Sequence, residues 1–322
     1  MLAASVALGG GLRAASAQPT ARVARIGVLA LNQAADSSGR EGGFALGLKE
    51  HGYVEGRNIT VTYRDAEGRA ERLAALAAEL VALKVEVIVA PSTPAAQAAK
   101  QATSTIPIVF AGAAEPVTDG LVASLAHPGG NVTGLSNASA DLVGKRLELL
   151  KQAVPKLARV AVLWQATAGR TDDDMLKTAD VAARALGLQL RPIEVRAAAD
   201  LDRALADAVR AGAGALTVLP IAMFFSERKR IIEFAAGNRL PAVYTSRAFV
   251  DDGGLMAYGA NLSDLLRRAA GYADRILKGA RPGDLPVEQA VKFELTIHLG
   301  TAKALGLTIP RSVLLSAETV IA

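Results

Sequence analysis

The stretch VIVAPSTPAAQAAK (87–100) sets two hydroxyls, Ser92 and Thr93, between an apolar run and an alanine-rich segment. Pro94 behind them suits the first position of a helix, so the pair sits at a strand-to-helix turn. Free backbone N–H groups at a helix start, with hydroxyls beside them, attract an anion such as a carboxylate. Ordinary N-capping uses the same residues, and both uses stay open at this point. Other chemistry is thin. His51, His127 and His298 are too far apart for metal-ligand spacing. GAGAL (212–216) precedes a strand instead of following one, and GKR (144–146) lacks the upstream glycine and the Ser/Thr of a phosphate-binding loop. G-x-S-x-G does not occur. TDDD (171–174) reads as an N-cap with acids in the first turn. With no cysteine in the chain, disulfides, thiol catalysis and Cys-ligated metals drop out. No catalytic residue, metal site or cofactor is expected.

The turn needs elements to position it. RIGVLAL (25–31), NITVTYRDA (58–66), VEVIVA (85–90) and IPIVFAG (106–112) read as strands. Helical patterns over 41–52, 69–83 and 94–103 separate them, which makes a parallel sheet with helices on both faces. The series then recurs: RVAVLWQ (159–165), LQLRPIEV (188–195), GALTVLP (214–220) and LPAVYTS (240–246) alternate with helices ending near 187, 212 and 238. Arg25 to Arg159 and Pro107 to Pro241 are each 134 residues apart, and Gly52 to Gly187 is 135. The fold class is therefore α/β, two similar open doubly wound parallel-sheet lobes. Residues 24–134 plus 259–283 form lobe one, and 135–258 plus 284–322 form lobe two. Three connections, at 127–137, 251–261 and 281–295, cross between them and make a hinge. Open parallel sheets bind ligands beyond the carboxyl ends of their strands, so the expected site is a cleft between the lobes.

Composition narrows the function classes. The chain has 322 residues and a formal charge of +5, with basic and acidic residues interleaved. No basic face with exposed aromatics stands out, so nucleic acid is not an expected partner. Residues 1–23 form a leader: the first 17 are apolar, small and free of acids, and ASA before Gln18 fits a signal-peptidase site. No later apolar run reaches the ~18 residues of a membrane helix. An exported, soluble, monomeric protein is expected.

Three blocks carry a resemblance. HGYVEGRNITVTYRDAEG (51–68), IPIVFAGAAEPVTDGLVASLAHPGGNVTGLSN (106–137) and KFELTIHLGTAKALGLTIP (292–310) resemble the ABC-transporter substrate-binding proteins of the tryptophan/tyrosine-uptake type. The resemblance covers nearly all of 24–322. It implies the type I periplasmic-binding fold, a periplasmic receptor that closes on a small molecule, and docking on an ABC permease in the inner membrane.

Carried over position by position, the resemblance implies a ligand site at strand ends. In lobe one these are Asn32 and Gln33, the turn Ser92 and Thr93, Ala111 and Gly112, then Asn137 in the first crossing. In lobe two they are Trp164 and Gln165, Pro220 and Ile221, then Tyr244 and Thr245. Trp164, the single tryptophan, could equally be core or a cover for an apolar ligand. Where many relatives have an acid after VLP, this chain has Ile221 and Ala222, which leaves open whether the ligand carries an ammonium group. The leading expectation is a receptor for a small organic carboxylate, an aromatic or branched amino acid among them. A two-lobed enzyme acting on a small metabolite, or the effector lobe of a regulator, remains as an alternative.

Overall fold

The structure is a computed structural model that describes residues 23–31, 42–137, 139–165 and 171–322. Residues 1–22 of the expected leader, and the candidate residues Asn32 and Gln33, lie outside the described residues. Lobe one is built from β1 (Ala24–Ala30), α1 (Gly43–Glu50), β2 (Ile59–Asp65), α2 (Leu73–Ala82), β3 (Val87–Ala90), α3 (Thr93–Ala102), β4 (Ile108–Ala113) and β5 (Val132–Ser136). Lobe two follows with α4 (Ser139–Ala153), β6 (Arg159–Trp164), α5 (Thr171–Ala185), β7 (Gln189–Glu194), α6 (Leu201–Arg210) and β8 (Ala215–Val218). It continues through α7 (Ala222–Ser226), α8 (Arg228–Gly237), β9 (Ala242–Tyr244), α9 (Arg247–Asp251) and β10 (Met256–Ala260). The last stretch holds α10 (Leu262–Leu277), β11 (Glu288–Gln289), β12 (Phe293–His298), α11 (Leu299–Ala304), α12 (Arg311–Leu315) and β13 (Thr319–Ile321).

The sheet orders are β11-β5-β4-β3-β1-β2 and β13-β12-β10-β9-β8-β6-β7. The inner order β2-β1-β3-β4-β5 thus recurs as β7-β6-β8-β9-β10, the topological form of the repeat seen in the sequence. All pairings are parallel except β10 with β12. Both faces of each sheet are covered, which is why the strands read as continuous apolar runs. In lobe one Ile26, Val87 and Val109 pack on one face, and Leu29, Ile88 and Phe110 on the other. In lobe two Val160, Val162 and Val243 face one layer, and Ala161, Leu163 and Tyr244 the opposite one.

The chain passes between the sheets three times: after β5, at Asn261 between β10 and α10, and at 290–292 between β11 and β12. Because β11 pairs with β5, residues 284–289 run with the first sheet, not with lobe two as the sequence boundary has it. Residues 135–136 likewise complete β5. The crossings are bonded side by side. Ala290 N donates to Ser136 O at 2.7 Å and Asn261 N to Lys292 O at 3.0 Å. Asn261 also caps α10 through Asp264 N and donates from Nδ2 to Glu294 Oε2. Lys292 and Arg267 both pair with the buried Asp264 carboxylate. Burial raises that carboxyl's pKa, but the two cations outweigh burial and hold it below the usual range. The hinge is therefore a small hydrogen-bonded bundle.

Candidate functional site

Every crossing joins the carboxyl edge of one sheet to that of the other, so those two edges must face each other. Contacts among the described residues bridge the gap. Ser226 Oγ in α7 donates to Gly68 O of lobe one at 3.3 Å. Ala114, just past β4, packs against a core cluster of lobe two. The carboxyl ends of the strands therefore face one another across the space between the lobes.

On the lobe-one side Ser92 is the N-cap of α3, accepting from Ala95 N at 3.4 Å, with Pro94 in the first turn. Thr93 Oγ1 accepts from Ala114 N at 3.3 Å and is 3.5 Å from the Asp119 carboxylate. The turn thus spends much of its capacity on its own fold: a proline removes one donor, a hydroxyl satisfies another, and an acid stands beside the second hydroxyl. Replacing Ser92 and Thr93 together by Ala should lower stability by about 1–3 kcal/mol, one cap plus one hydrogen bond. A urea titration reads that loss. Gly112 adopts φ +96° at the bulge just before the last β4–β5 pair, Ala113 with Ser136, and its carbonyl accepts from Asn137 Nδ2 at 3.0 Å. Ala111 is fully buried in the core of lobe one, so its side chain is packing.

Lobe two presents an apolar wall. Trp164 and Ile221 are half-buried and pack, with Tyr258, on the outer layer of the same cluster that Ala114 touches. Tyr258 also lies 6.3 Å from the Phe293 ring. Pro220, just before Ile221, and Thr245, just after Tyr244, are also half-buried. Gln165 turns aside, with Nε2 donating to Arg196 O at 2.9 Å.

Tyr244 departs from expectation. It is 1% exposed, stacked on Phe249 at 4.6 Å and 13°, and closed over by Gly254. Burial pushes its phenol well above the usual tyrosine range. The ring belongs to the core layer under α8 and α9, because β9 turns Tyr244 toward that face while Val243 meets the other.

Sequence reasoning passed over three residues. Tyr258 lies in a segment read as a crossing, Ser226 in a helix start, and Arg146 in a string weighed only as a phosphate loop. Arg146 is 1% exposed, and its Nε donates to Tyr258 O at 2.7 Å. Its signal was a charge on an apolar helical stripe, beside Leu147 and between Val143 and Leu150. Among the described residues no group of His, Cys, Asp and Glu could hold a metal ion.

The chain is similar to known proteins over nearly its whole length. The sequence profile of a family described as ABC transporter substrate binding protein matches residues 26–321. A tyrosine-binding protein of Clostridioides difficile is 29% identical over 266 residues, 82% of this chain and 75% of that protein. The ABC domain in complex with L-Trp from Streptococcus pneumonia superimposes with a TM-score of 0.83 at 26% identity, covering 93% of this chain and 100% of that one. A ligand-free, open substrate-binding protein from Clostridium difficile, 27% identical with the same coverage, reaches 0.69.

Proposed function

The chain belongs to the family of ABC transporter substrate-binding proteins, with the type I periplasmic-binding fold, and on that premise we propose that it is an exported receptor for a small organic carboxylate of the aromatic or branched amino-acid class. The ligand sits between the lobes, and the lobes close on it. The observation that carries this reading is the likeness, over 93% of the chain, to a relative holding L-Trp. At nearly equal identity the backbone follows that complex better than the open, ligand-free relative, 0.83 against 0.69, which supports a closing motion. Closure then follows the ligand's preference for the closed arrangement.

The division of labour follows the groove. Trp164 and Ile221, flanked by Pro220 and Thr245, cover the apolar part of the ligand. The Ser92–Thr93 turn, Gly112 and Asn137 bound it from lobe one. With Leu-Pro-Ile-Ala at 219–222 the lobe-two loop brings no carboxylate, so aromatic acids without an amine are candidates beside amino acids. No helix among the described residues is long and apolar enough to cross a membrane. The leader carries the protein to the periplasm, and an inner-membrane permease receives the closed form.

A thermal-shift screen of amino acids, aromatic acids, nucleotides and sugar phosphates tests the reading. One narrow class of carboxylates should stabilise the protein, by about 2.7 kcal/mol at a concentration 100 times the dissociation constant. Shifts with nucleotides or sugar phosphates and with no carboxylate would overturn it.

A further inference from the structure

Arg146 is a charge placed where this chain builds its core. On α4 it neighbours Val143, Leu147 and Leu150, all members of the lobe-two cluster. Its Nε is fixed on Tyr258 O, while Nη1 and Nη2 are buried with no hydrogen-bond partner among the described residues. Burial lowers the guanidinium to about 10, so it stays a cation at neutral pH. A buried cation without a counter-charge is strongly unfavourable, and its partner is the natural thing to look for.

Its place in the fold indicates where that partner comes from. Helical side chains lean toward the helix N-terminus, and α4 begins at the first hinge crossing. The guanidinium therefore reaches back toward the hinge. It meets Tyr258, two residues before β10 ends at the second crossing. Tyr258, like Trp164 and Ile221, is half-buried and packs against the lobe-two cluster. The unpaired fork thus lies beside Tyr258, near the hinge end of lobe two.

We propose that Arg146 is the lobe-two anchor for the ligand's carboxylate, its Nη1 and Nη2 taking the two oxygens as a fork while the wall covers the apolar remainder. The proposal rests on the receptor reading above and names the group on this chain that recognises the acid. A guanidinium presents parallel donors in a plane that matches a carboxylate. Both Nη atoms are buried as the protein stands, so the proposal requires that the packing around them open, as it would while the lobes are apart, for the carboxylate to reach them. The anion cancels an unfavourable buried charge only in the liganded form, which gives the ligand its differential affinity for that form. A neutral ligand brings no such gain.

The test is calorimetric titration of wild type, R146K and R146M with L-tryptophan, L-tyrosine, L-leucine and benzoate, beside ligand-free melting curves. For whichever acid binds the wild type, R146M should bind about a hundredfold more weakly, two charge-assisted bonds being lost, and R146K should fall between. Ligand-free R146M should melt no lower than wild type, whereas a purely structural arginine would lower the melting point on removal. Binding by R146M within about threefold of wild type overturns the proposal and leaves the receptor reading standing. Binding of none of the four acids by wild type overturns both. Should R146M not fold, a crystal structure of the unsubstituted protein with the acid that binds decides. Carboxylate oxygens within hydrogen-bond distance of Nη1 or Nη2 support the anchor, and a carboxylate held elsewhere overturns it.

Discussion

Tyr244→Ala should destabilise the protein by about 3–5 kcal/mol, the cost of deleting a large ring from a packed core. The ring is stacked on Phe249 and sealed by Gly254, and a Cβ added at Gly254 would come within 2.6 Å of it, so there is little room for the layer to collapse into the gap. Tyr244→Phe should stay within about 1.5 kcal/mol of wild type because the packed volume is kept. Urea unfolding of the two variants reads both values. A wall residue would behave differently: Tyr244→Ala would then leave stability nearly unchanged and weaken ligand binding instead.

Gly134→Ala should be more damaging still. Gly134 lies in β5 opposite Phe110 of β4, with φ at +150°. A Cβ there would stand 2.0 Å from Phe110 O and 2.7 Å from Phe110 N. Both obstacles are backbone in the middle of a sheet, so no side chain can swing away. The pairing of β4 with β5 must open, and β5 leads directly into the first hinge crossing. A loss above about 4 kcal/mol is expected, a large share of the 5–15 kcal/mol that holds a typical domain. Soluble yield and the urea midpoint measure it; a variant that unfolds like wild type would mean that β5 can be rebuilt around the new methyl.

The repeat was legible because it is written in long, fully buried strands and amphipathic helices, whose patterns survive in one sequence. Arg25 and Arg159 lie in the first two residues of β1 and β6, and Pro107 and Pro241 precede β4 and β9, so the shared offset marks equivalent places in the two lobes. The fifth strand of each sheet was hidden. VTGLS and MAYGA are five residues each, and the glycine-rich text before them reads as connection. Side-chain direction was harder. Tyr244 ends a three-residue strand buried on both faces, where alternation carries no sign of which face meets the groove. Gln165 is turned by Arg196, 31 residues away. Arg146 was legible only as an exception, since a charge on a helix is ordinarily a solvated one and its burial is a product of tertiary packing.

The Ser92–Thr93 turn shows how one pattern can serve two ends. A helix start with hydroxyls suits an anion, but here the cap and the Ala114 contact take the same oxygens. A capped helix is stable without any ligand. An unpaired guanidinium is not comfortable without one, and that asymmetry shifts the weight of carboxylate recognition toward lobe two.

The most direct measurement is calorimetric titration of the wild-type protein with L-tryptophan and L-tyrosine against tryptamine and tyramine, which keep the ring and amine but lack the carboxylate. The account predicts one-to-one binding of at least one acid, with its amine weaker by tenfold or more, as the loss of even one charge-assisted hydrogen bond requires. Equal affinity for acid and amine, or binding of neither acid by a protein that binds nucleotides or sugar phosphates, would contradict it.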